Sequence, residues 1–194
     1  MNSELRIAVI DKNPVRAAIL EEGLHEAGYS LVTRIDDTSA LLDRIAALAP
    51  DVIIIDLESP SRDTLEQMFQ VSRAVARPVA MFVDQSDTAM INAAIDAGVS
   101  AYVVDGMKKE RVKAVLDVTI SRFNAFTKLK EELEFAKSQL DDRKAIDRAK
   151  ALVMKAKAIP EDQAYAMMRK AAMNENKKIV EIARSIITAA DLLR

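Results

Sequence analysis

The chain contains no cysteine and only one histidine, and these absences exclude several kinds of chemistry. Without cysteine there can be no disulfide and no thiol nucleophile, and His25 alone cannot build a histidine-rich metal site. The four glycines are scattered, so the sequence has no glycine-rich phosphate loop. No Ser-His-Asp set stands out either. We therefore expect a protein that is not an enzyme and that uses neither a cofactor nor a metal.

Long apolar runs are also missing. No segment approaches the roughly 20 apolar residues that span a bilayer, and the first residues, MNSELRI, do not resemble a signal peptide. We expect a cytoplasmic protein that does not contact a membrane. With 194 residues, 50% of them hydrophobic, the chain is large enough for one or two domains with cores of their own.

The two halves of the chain differ in charge, although the net charge is only −2. Residues 1–107 carry 8 basic and 17 acidic side chains (−9), whereas residues 108–194 carry 20 and 13 (+7). Within residues 143–194 the counts are 12 and 6 (+6). A basic second half indicates a nucleic-acid partner at that end, and a set of solvated helix faces is the alternative interpretation.

The first half alternates short apolar runs with helical patterns. The runs that predict buried strands are residues 5–10, 30–35, 51–55, 78–83 and 100–104, and the patterns that predict helices lie around 14–27, 38–48, 61–76 and 87–97. Strands that alternate with helices form parallel sheets covered on both faces. We predict a flavodoxin-like (βα)5 fold with a five-stranded parallel sheet.

A long helix is predicted between the two halves, because residues 107–159 contain neither glycine nor proline. If all of them were helical, the helix would be about 80 Å long. The apolar residues of its middle part recur at the 3-4 spacing of a coiled coil. They are Phe126, Leu129, Leu133, Ala136 and Leu140, here called the seam. The seam predicts a homodimer, and a buried core helix is the alternative.

The last quarter of the chain predicts three short amphipathic helices. Ala149 and Val153 mark the apolar side of the first, Met167 and Met168 that of the second, and Ile179 begins that of the third. Pro160, followed by two acidic residues, predicts the start of the second helix.

The residue choices in this quarter resemble the ANTAR module. The matching positions are Ala149, Lys150, Met154, Ala164, Tyr165, Arg169, Ala172, Met173 and Ala183. One departure is Ala151, where the family usually has glycine. The resemblance implies a three-helix unit that binds paired hairpin loops in leader RNA and prevents transcription termination.

Residues 5–120 resemble the receiver domain of bacterial response regulators. The motif PDVIIID at 50–56, Pro60, and AGVSAYVV at 97–104 carry this resemblance. It implies that Asp56 occupies the position of the phosphate acceptor and that Tyr102 occupies the position of the switch aromatic. Ordinary packing is the alternative for Tyr102.

Three positions depart from the receiver pattern, and they predict an inactive acceptor. The acidic pair that binds Mg²⁺ has become Asp11 and Lys12, Val83 replaces a hydroxyl residue, and Asp105 replaces a lysine. Mg²⁺ prefers oxygen ligands, and phosphoryl transfer needs positive charge at the site. We expect Lys12 to act as the internal cation of this degenerate acidic pocket, or else to point into solvent. In both cases phosphorylation of Asp56 should be unimportant.

The candidate RNA-binding residues lie on the basic C-terminal module. Lys144, Arg148, Ala151 and Lys155 fall on one side of the first predicted helix and are here called the basic stripe. Tyr165 and Arg169 could stack on a loop base and contact its phosphate. Further cations of this surface are Lys150, Lys177 and Lys178. For each cation, plain solubility is the alternative role.

The expectations combine into a two-domain regulator. The expected parts are an atypical receiver at residues 1–120, a coiled-coil linker at 121–142 and an ANTAR RNA-binding domain at 143–194. The whole resembles the NasT-type nitrate-responsive antiterminators, which implies control by a ligand-sensing partner protein more than by phosphorylation. The alternatives are a DNA-binding response regulator and a protein that sequesters another regulator. Against DNA binding, residues 157–162 read KAIPED and lack the glycine-containing turn of a helix-turn-helix.

Overall fold

All five strands form where the apolar runs predict them, each within two residues of its expected bounds. The computed structural model describes residues 5–58, 60–104, 106 and 108–192. Its strands are β1 Arg6–Ile10, β2 Leu31–Ile35, β3 Val52–Leu57, β4 Val79–Val83 and β5 Ala101–Val104. They are parallel and lie in the order β2-β1-β3-β4-β5. The predicted flavodoxin-like fold is therefore confirmed.

Four helices alternate with the strands: α1 Pro14–Glu26, α2 Leu41–Leu48, α3 Arg62–Ala74 and α4 Thr88–Asp96. Three of them begin at a residue whose side chain accepts backbone N–H groups of the first turn, namely Asn13, Ser61 and Asp87. Such caps satisfy donors that have no partner inside the helix. Helix α2 instead follows Ala40, which has a positive φ of 48° and no side-chain cap, and it begins later than the pattern predicted.

Two apolar layers enclose the sheet. On one face Met68 and Phe69 of α3 pack beside Ile53 and Ile55 of β3. On the other face Leu20 and Leu24 of α1 pack with Val112 and Leu116. Because both faces are covered, the strands are apolar almost throughout, and β4 is fully buried along its length.

A single helix, α5, runs from Val112 to Lys157 and follows a short 3-10 helix, Lys109–Arg111. Most of the segment without glycine and proline is therefore helical, as predicted, although Lys108, Ala158 and Ile159 are not. The Lys109 ammonium lies 2.8 Å from Glu22 and 2.6 Å from Glu26 of α1. The chain divides into two compact units, Met1–Thr127 and Lys128–Arg194, so α5 contributes to both.

The second unit contains the last part of α5 together with α6 Glu161–Glu175 and α7 Ile179–Leu192. Its core is small: Ala149, Met168 and Ala183 are buried in it. Pro160 is the residue before α6, so the helix starts one residue later than Pro160 predicted. The expectation that Met167 packs in this core is wrong, because its side chain is 43% exposed while Met168 faces inward.

Among the residues described, no helix combines the length and the apolar character that crossing a membrane requires.

Candidate functional site

Three carboxylates gather at the carboxyl edge of the receiver sheet. Asp11 follows β1, Asp56 lies near the end of β3, and Asp84 follows β4, and the ends of parallel strands meet at one edge. Asp11 and Asp56 are almost fully buried, at 3% and 2% exposure. Asp11 and Asp56 therefore need a positively charged partner, because burying a charged carboxylate without one costs free energy.

The guanidinium of Arg16 supplies that charge. Its Nε and Nη2 donate to the two oxygens of Asp56 at 2.9 and 2.7 Å. Its Nη1 donates to both oxygens of Asp84 at 3.0 Å, and Nη2 also reaches one of them at 3.0 Å. The planar guanidinium of Arg16 thus connects β3 to the segment after β4 by donating to two carboxylates at once. A lysine ammonium could not form this bidentate geometry.

The local fold explains how Arg16 reaches the site. Asn13 caps α1 by accepting the N–H groups of Val15 and Arg16, and Pro14 occupies the first position of the helix. The first turn of α1 is therefore fixed, and Arg16 lies on it. A cation at a helix N-terminus is unfavourable toward the helix dipole. Hydrogen bonding to Asp56, and to a smaller extent to Asp84, raises the pKa of the Arg16 guanidinium above its ordinary value.

The expectation that Lys12 is the internal cation is wrong. Lys12 is exposed, and within the described residues it forms no ion pair. The physical reason is where each side chain starts relative to the carboxylates. Lys12 lies in the loop directly after β1 and turns to solvent, whereas Arg16 is carried over the sheet edge by the first turn of α1. The alternative interpretation for Lys12, a solvated side chain, agrees with the structure.

Asp11 remains incompletely satisfied. Its Oδ1 accepts the backbone N–H of Asn13 at 2.7 Å, but its Oδ2 is buried and has no hydrogen-bond partner in the described part of the chain. Burial raises the pKa of the Asp11 carboxyl, and the nearby charge of Asp56 adds to this effect. The charged form of Asp11 therefore lowers the stability of the folded receiver at neutral pH.

The pocket does not fit the divalent metal that the receiver family uses. Both oxygens of Asp56 are bound by Arg16, so a metal would have to displace the guanidinium. Val83 is fully buried at the end of β4 and has no hydroxyl to offer a phosphoryl group. Asp105 lies outside the described residues. Within the described residues no group of three or more His, Cys, Asp or Glu side chains is placed so that it could hold a metal ion.

The segment after β4 is attached at two points. Besides the contact between Asp84 and Arg16, Ser86 Oγ lies 3.0 Å from the hydroxyl of Tyr102, with either group able to donate. Tyr102 is partly buried and packs against the core. Gly106 permits this arrangement, because a Cβ there would lie 2.9 Å from Asp84 Oδ1. The predicted switch aromatic is thus tied to the same segment as the acidic pocket.

A second candidate site lies on the ANTAR-like unit. The four residues of the basic stripe are exposed on α5, on the side away from the buried Ala149. Arg148 is oriented by Asp191 of α7, whose two oxygens lie 2.8 and 3.0 Å from Arg148 Nη2. Lys144 lies 3.8 Å from Asp141 and is 68% exposed, so this pair is weak.

Lys150 is turned away from the stripe. Its ammonium lies 2.7 Å from Asp147 and 2.6 Å from Glu161, and its side chain is only 16% exposed. The hydrogen bond to Asp147 and then that to Glu161 raise the pKa of the Lys150 ammonium. Lys150 therefore joins α5 to the first turn of α6, which was not apparent from the sequence.

The remaining predicted RNA-binding residues form separate groups. Tyr165 is 42% exposed, and Arg169 is exposed one turn further along α6. Lys177 and Lys178 lie at the turn between α6 and α7, at the opposite end of α6 from Glu161. Lys177 is 2.7 Å from Glu175.

The seam residues are exposed along α5, with Leu129 at 64%, Leu133 at 54% and Leu140 at 52%. Within one chain nothing in the described residues covers them. Exposed leucines at this spacing fit the expected pairing of two chains.

Comparison with known families gives two matches. Residues 7–117 match the response regulator receiver domain, and residues 134–187 match the ANTAR domain. The transcriptional regulatory protein PdtaR of Mycobacterium tuberculosis is 24% identical over 182 residues, which cover 94% of this chain and 89% of that protein. The nitrate regulatory protein of Klebsiella oxytoca is 34% identical over 82 residues, 42% of this chain and 21% of that protein.

Solved structures resemble the receiver part. The signal receiver domain of a modulated diguanylate cyclase from Desulfovibrio desulfuricans aligns over 62% of this chain and 97% of its own, with a TM-score of 0.53 and 15% identity. A response regulator from Thermotoga maritima aligns over 60% and 98%, with a TM-score of 0.52 and 14% identity. At these identities the likeness concerns the fold alone.

Proposed function

We propose that this chain, which belongs to the response regulator receiver family and carries a C-terminal ANTAR domain, acts by binding leader RNA to prevent transcription termination. The family is regulatory and not enzymatic, so the prediction that the chain is not an enzyme is confirmed. Binding to paired hairpins would disfavour the terminator fold without any bond being made or broken.

The observation that carries the proposal is the basic stripe. Three cations and the small Ala151 lie exposed on one side of α5, within the segment that matches the ANTAR domain. Long cationic side chains around a small residue let a phosphate backbone approach closely. We leave Lys150 out of the proposed RNA surface because two carboxylates already neutralise it. Tyr165 and Arg169 form a second contact, suited to an unstacked loop base.

The receiver is proposed to be controlled by a partner protein. The contact of Arg16 with both oxygens of Asp56 supports this, because the acceptor carboxylate is not free to attack a phosphoryl donor. A ligand-sensing protein that sequesters the regulator is the proposed form of control. The nitrate regulatory protein among the relatives suggests nitrate as the signal, over the 82 residues that align. We retain the boundaries 1–120, 121–142 and 143–194, and a cytoplasmic homodimer, as part of the proposal.

An RNA-binding assay tests the proposed function. The probe is a two-hairpin RNA selected by the full-length chain from a library with randomised loops, compared with duplex DNA of equal length. Reversing Lys144, Arg148 and Lys155 together to Glu should weaken RNA binding steeply. It should also reduce the salt slope by about two units, at about 0.7 per phosphate contact on single-stranded RNA.

A matched variant separates position from total charge. Arg143→Glu, Lys157→Glu and Lys170→Glu change the same number of exposed cations in the same unit but outside the stripe, and they should weaken binding much less. Tyr165→Ala should lower affinity by about 1–3 kcal/mol, the value of base stacking, with little change in salt slope. A wild-type chain that shows no preference for hairpin RNA over duplex DNA would refute the proposal and favour a DNA-binding or sequestering role.

A further inference from the structure

Two ion pairs join α7 to α5 in the second unit. Arg148 Nη2 donates to both oxygens of Asp191, at 2.8 and 3.0 Å, and Arg184 Nη2 donates to Asp142 at 2.7 Å. The paired residues are 43 and 42 positions apart in the sequence, so the two helices run in the same direction along this contact. The cation is on α5 in the first pair and on α7 in the second. A shift of α7 by about two turns in either direction would therefore bring like charges together.

Asp191 is unfavourably placed for α7 itself. It lies in the last turn of this helix, which ends at Leu192 and has no basic side chain in that turn. The carbonyl end of a helix carries partial negative charge, so a carboxylate there is unfavourable. The position of Asp191 therefore indicates a role in its contact with Arg148 and not in the stability of α7.

The contact with Asp191 leaves most of the Arg148 guanidinium available for another ligand. Asp191 engages only Nη2, so Nε and Nη1, which carry most of the donors of a guanidinium, have no partner among the described residues. The side chain of Arg148 is 52% exposed and that of Asp191 is 46% exposed. A pair this exposed contributes little to the stability of the fold. It does fix the direction of a long side chain that would otherwise sample many rotamers.

Arg148 differs in this respect from the neighbouring cations of α5. Lys155 forms no ion pair within the described part of the chain, and the ammonium of Lys144 lies 3.8 Å from its nearest carboxylate. Lys150, outside the basic stripe, is held by two carboxylates at 2.7 and 2.6 Å. One carboxylate on one nitrogen is the intermediate arrangement, because it orients the Arg148 cation and leaves donors for a phosphate.

We propose that Asp191 is a positioning residue for RNA binding, which holds Arg148 by Nη2 so that the remaining donors of the guanidinium face an RNA phosphate. This inference rests on the proposed function. Asp191 would not touch the RNA, since its own negative charge repels phosphate. Its contribution is preorganisation, because Arg148 loses less rotamer freedom when the phosphate binds.

The direction of one change in affinity separates positioning from simple electrostatics. The probe is the two-hairpin RNA selected by the full-length chain. Asp191→Ala removes a negative charge from a basic unit, so charge alone predicts tighter RNA binding. Positioning predicts the opposite, a loss of about two- to tenfold, the effect of immobilising one long side chain. Asp162→Ala is the matched control, because Asp162 is an exposed acid of the same unit without an ion pair in the described residues, and its removal should not weaken binding.

A double-mutant cycle with Arg148→Gln shows whether Asp191 acts through Arg148. In the Arg148→Gln background, Asp191→Ala should cause no further loss of affinity. Asp191→Glu should keep most of the wild-type affinity, because its carboxylate can still reach Arg148 Nη2. Thermal unfolding followed by circular dichroism should give nearly equal melting temperatures for wild type and variants, since the pair is exposed.

The outcomes distinguish failure of this inference from failure of the proposed function. Equal or tighter RNA binding by Asp191→Ala would overturn the positioning role and show that Asp191 masks Arg148. An equal loss in the Arg148→Gln background would overturn it as well, because Asp191 would then act on the fold of α7. Wild-type affinity of Arg148→Gln would remove Arg148 from the RNA surface and leave the proposed function intact. A wild-type chain without preference for hairpin RNA over duplex DNA would refute the proposed function itself.

Nuclear magnetic resonance of the full-length chain labelled with ¹⁵N-arginine gives a second measurement that does not depend on affinity. In the RNA complex, Arg148 should show separate signals for Nη1 and Nη2, because a guanidinium held by Asp191 and by phosphate rotates slowly about its Nε–Cζ bond. Asp191→Ala should average these two signals, which are assigned by their absence in Arg148→Gln. Arg184, paired with Asp142, is the internal control and should not change. Averaged signals in the wild-type complex, or separate signals in Asp191→Ala, would contradict the inference.

Discussion

Removing Arg16 should destabilise the receiver more than removing any exposed cation. The Asp56 side chain has no exposed surface, and 21% of the Arg16 side chain is exposed. Breaking a buried pair by deleting one partner costs about 3–5 kcal/mol. Because Arg16 and Asp84 keep some contact with water, we take the lower end, about 3 kcal/mol. For a domain of this size that corresponds to about a 10 °C fall in melting temperature for Arg16→Ala.

Calorimetry of the full-length chain measures this fall, and Lys12→Ala is the matched control because Lys12 is a nearby exposed cation without an ion pair in the described residues. Arg16→Lys should fall between the two, since it keeps the charge but cannot bridge both carboxylates. Arg16→Ala should also regain stability in Mg²⁺, whereas the wild type should not respond. Equal melting temperatures for Arg16→Ala and Lys12→Ala would refute the role of Arg16.

Two further predictions concern the same pocket. Acetyl phosphate with Mg²⁺ should leave Asp56 unmodified, because Arg16 holds both carboxylate oxygens, and a near-stoichiometric phosphate adduct by mass spectrometry would contradict this. Asp11→Asn should raise the melting temperature by a few degrees at pH 7, because burial raises the pKa of Asp11 and its charged form costs stability. The gain should shrink as pH falls through the raised pKa of the folded chain toward 3.8, the ordinary value, and a constant gain from pH 7 to pH 4 would show that the charge is not the cause.

Much of the fold was predictable because the signals for it are local. Apolar runs of about five residues between turn residues gave the strands, and the side-chain caps Asn13, Ser61 and Asp87 mark three helix starts in the sequence itself. The start of α2 was less predictable, since Ala40 adopts a positive φ that no local residue type demands. The prediction that Met167 is buried was wrong because only a narrow side of α6 faces the core, and sequence spacing alone does not give the width of that side.

The acidic pocket was predicted only in part. The positions of Asp11 and Asp56 follow from parallel strands ending at one edge, so their proximity was foreseeable. Arg16 was missed because it is forty positions from Asp56 in sequence and acts through the length of its side chain. A signal was nevertheless present: an arginine in the first turn of a helix opposes the helix dipole and therefore suggests an acidic partner nearby. Lysine and arginine differ in reach and shape, and sequence position alone favoured the wrong cation.

The contact of Arg16 with Asp56 also has a consequence for timing. In a regulator that is switched by an aspartyl phosphate, hydrolysis of the acyl phosphate ends the response and so limits its duration. On the proposed function this chain has no phosphate to hydrolyse. The duration of its RNA binding is then set by the rates at which its protein partner dissociates and rebinds. It would also not respond to unrelated kinases or to small phosphodonors in the cell. The contact of Arg16 with Asp56 would thus prevent cross-talk with other signalling systems.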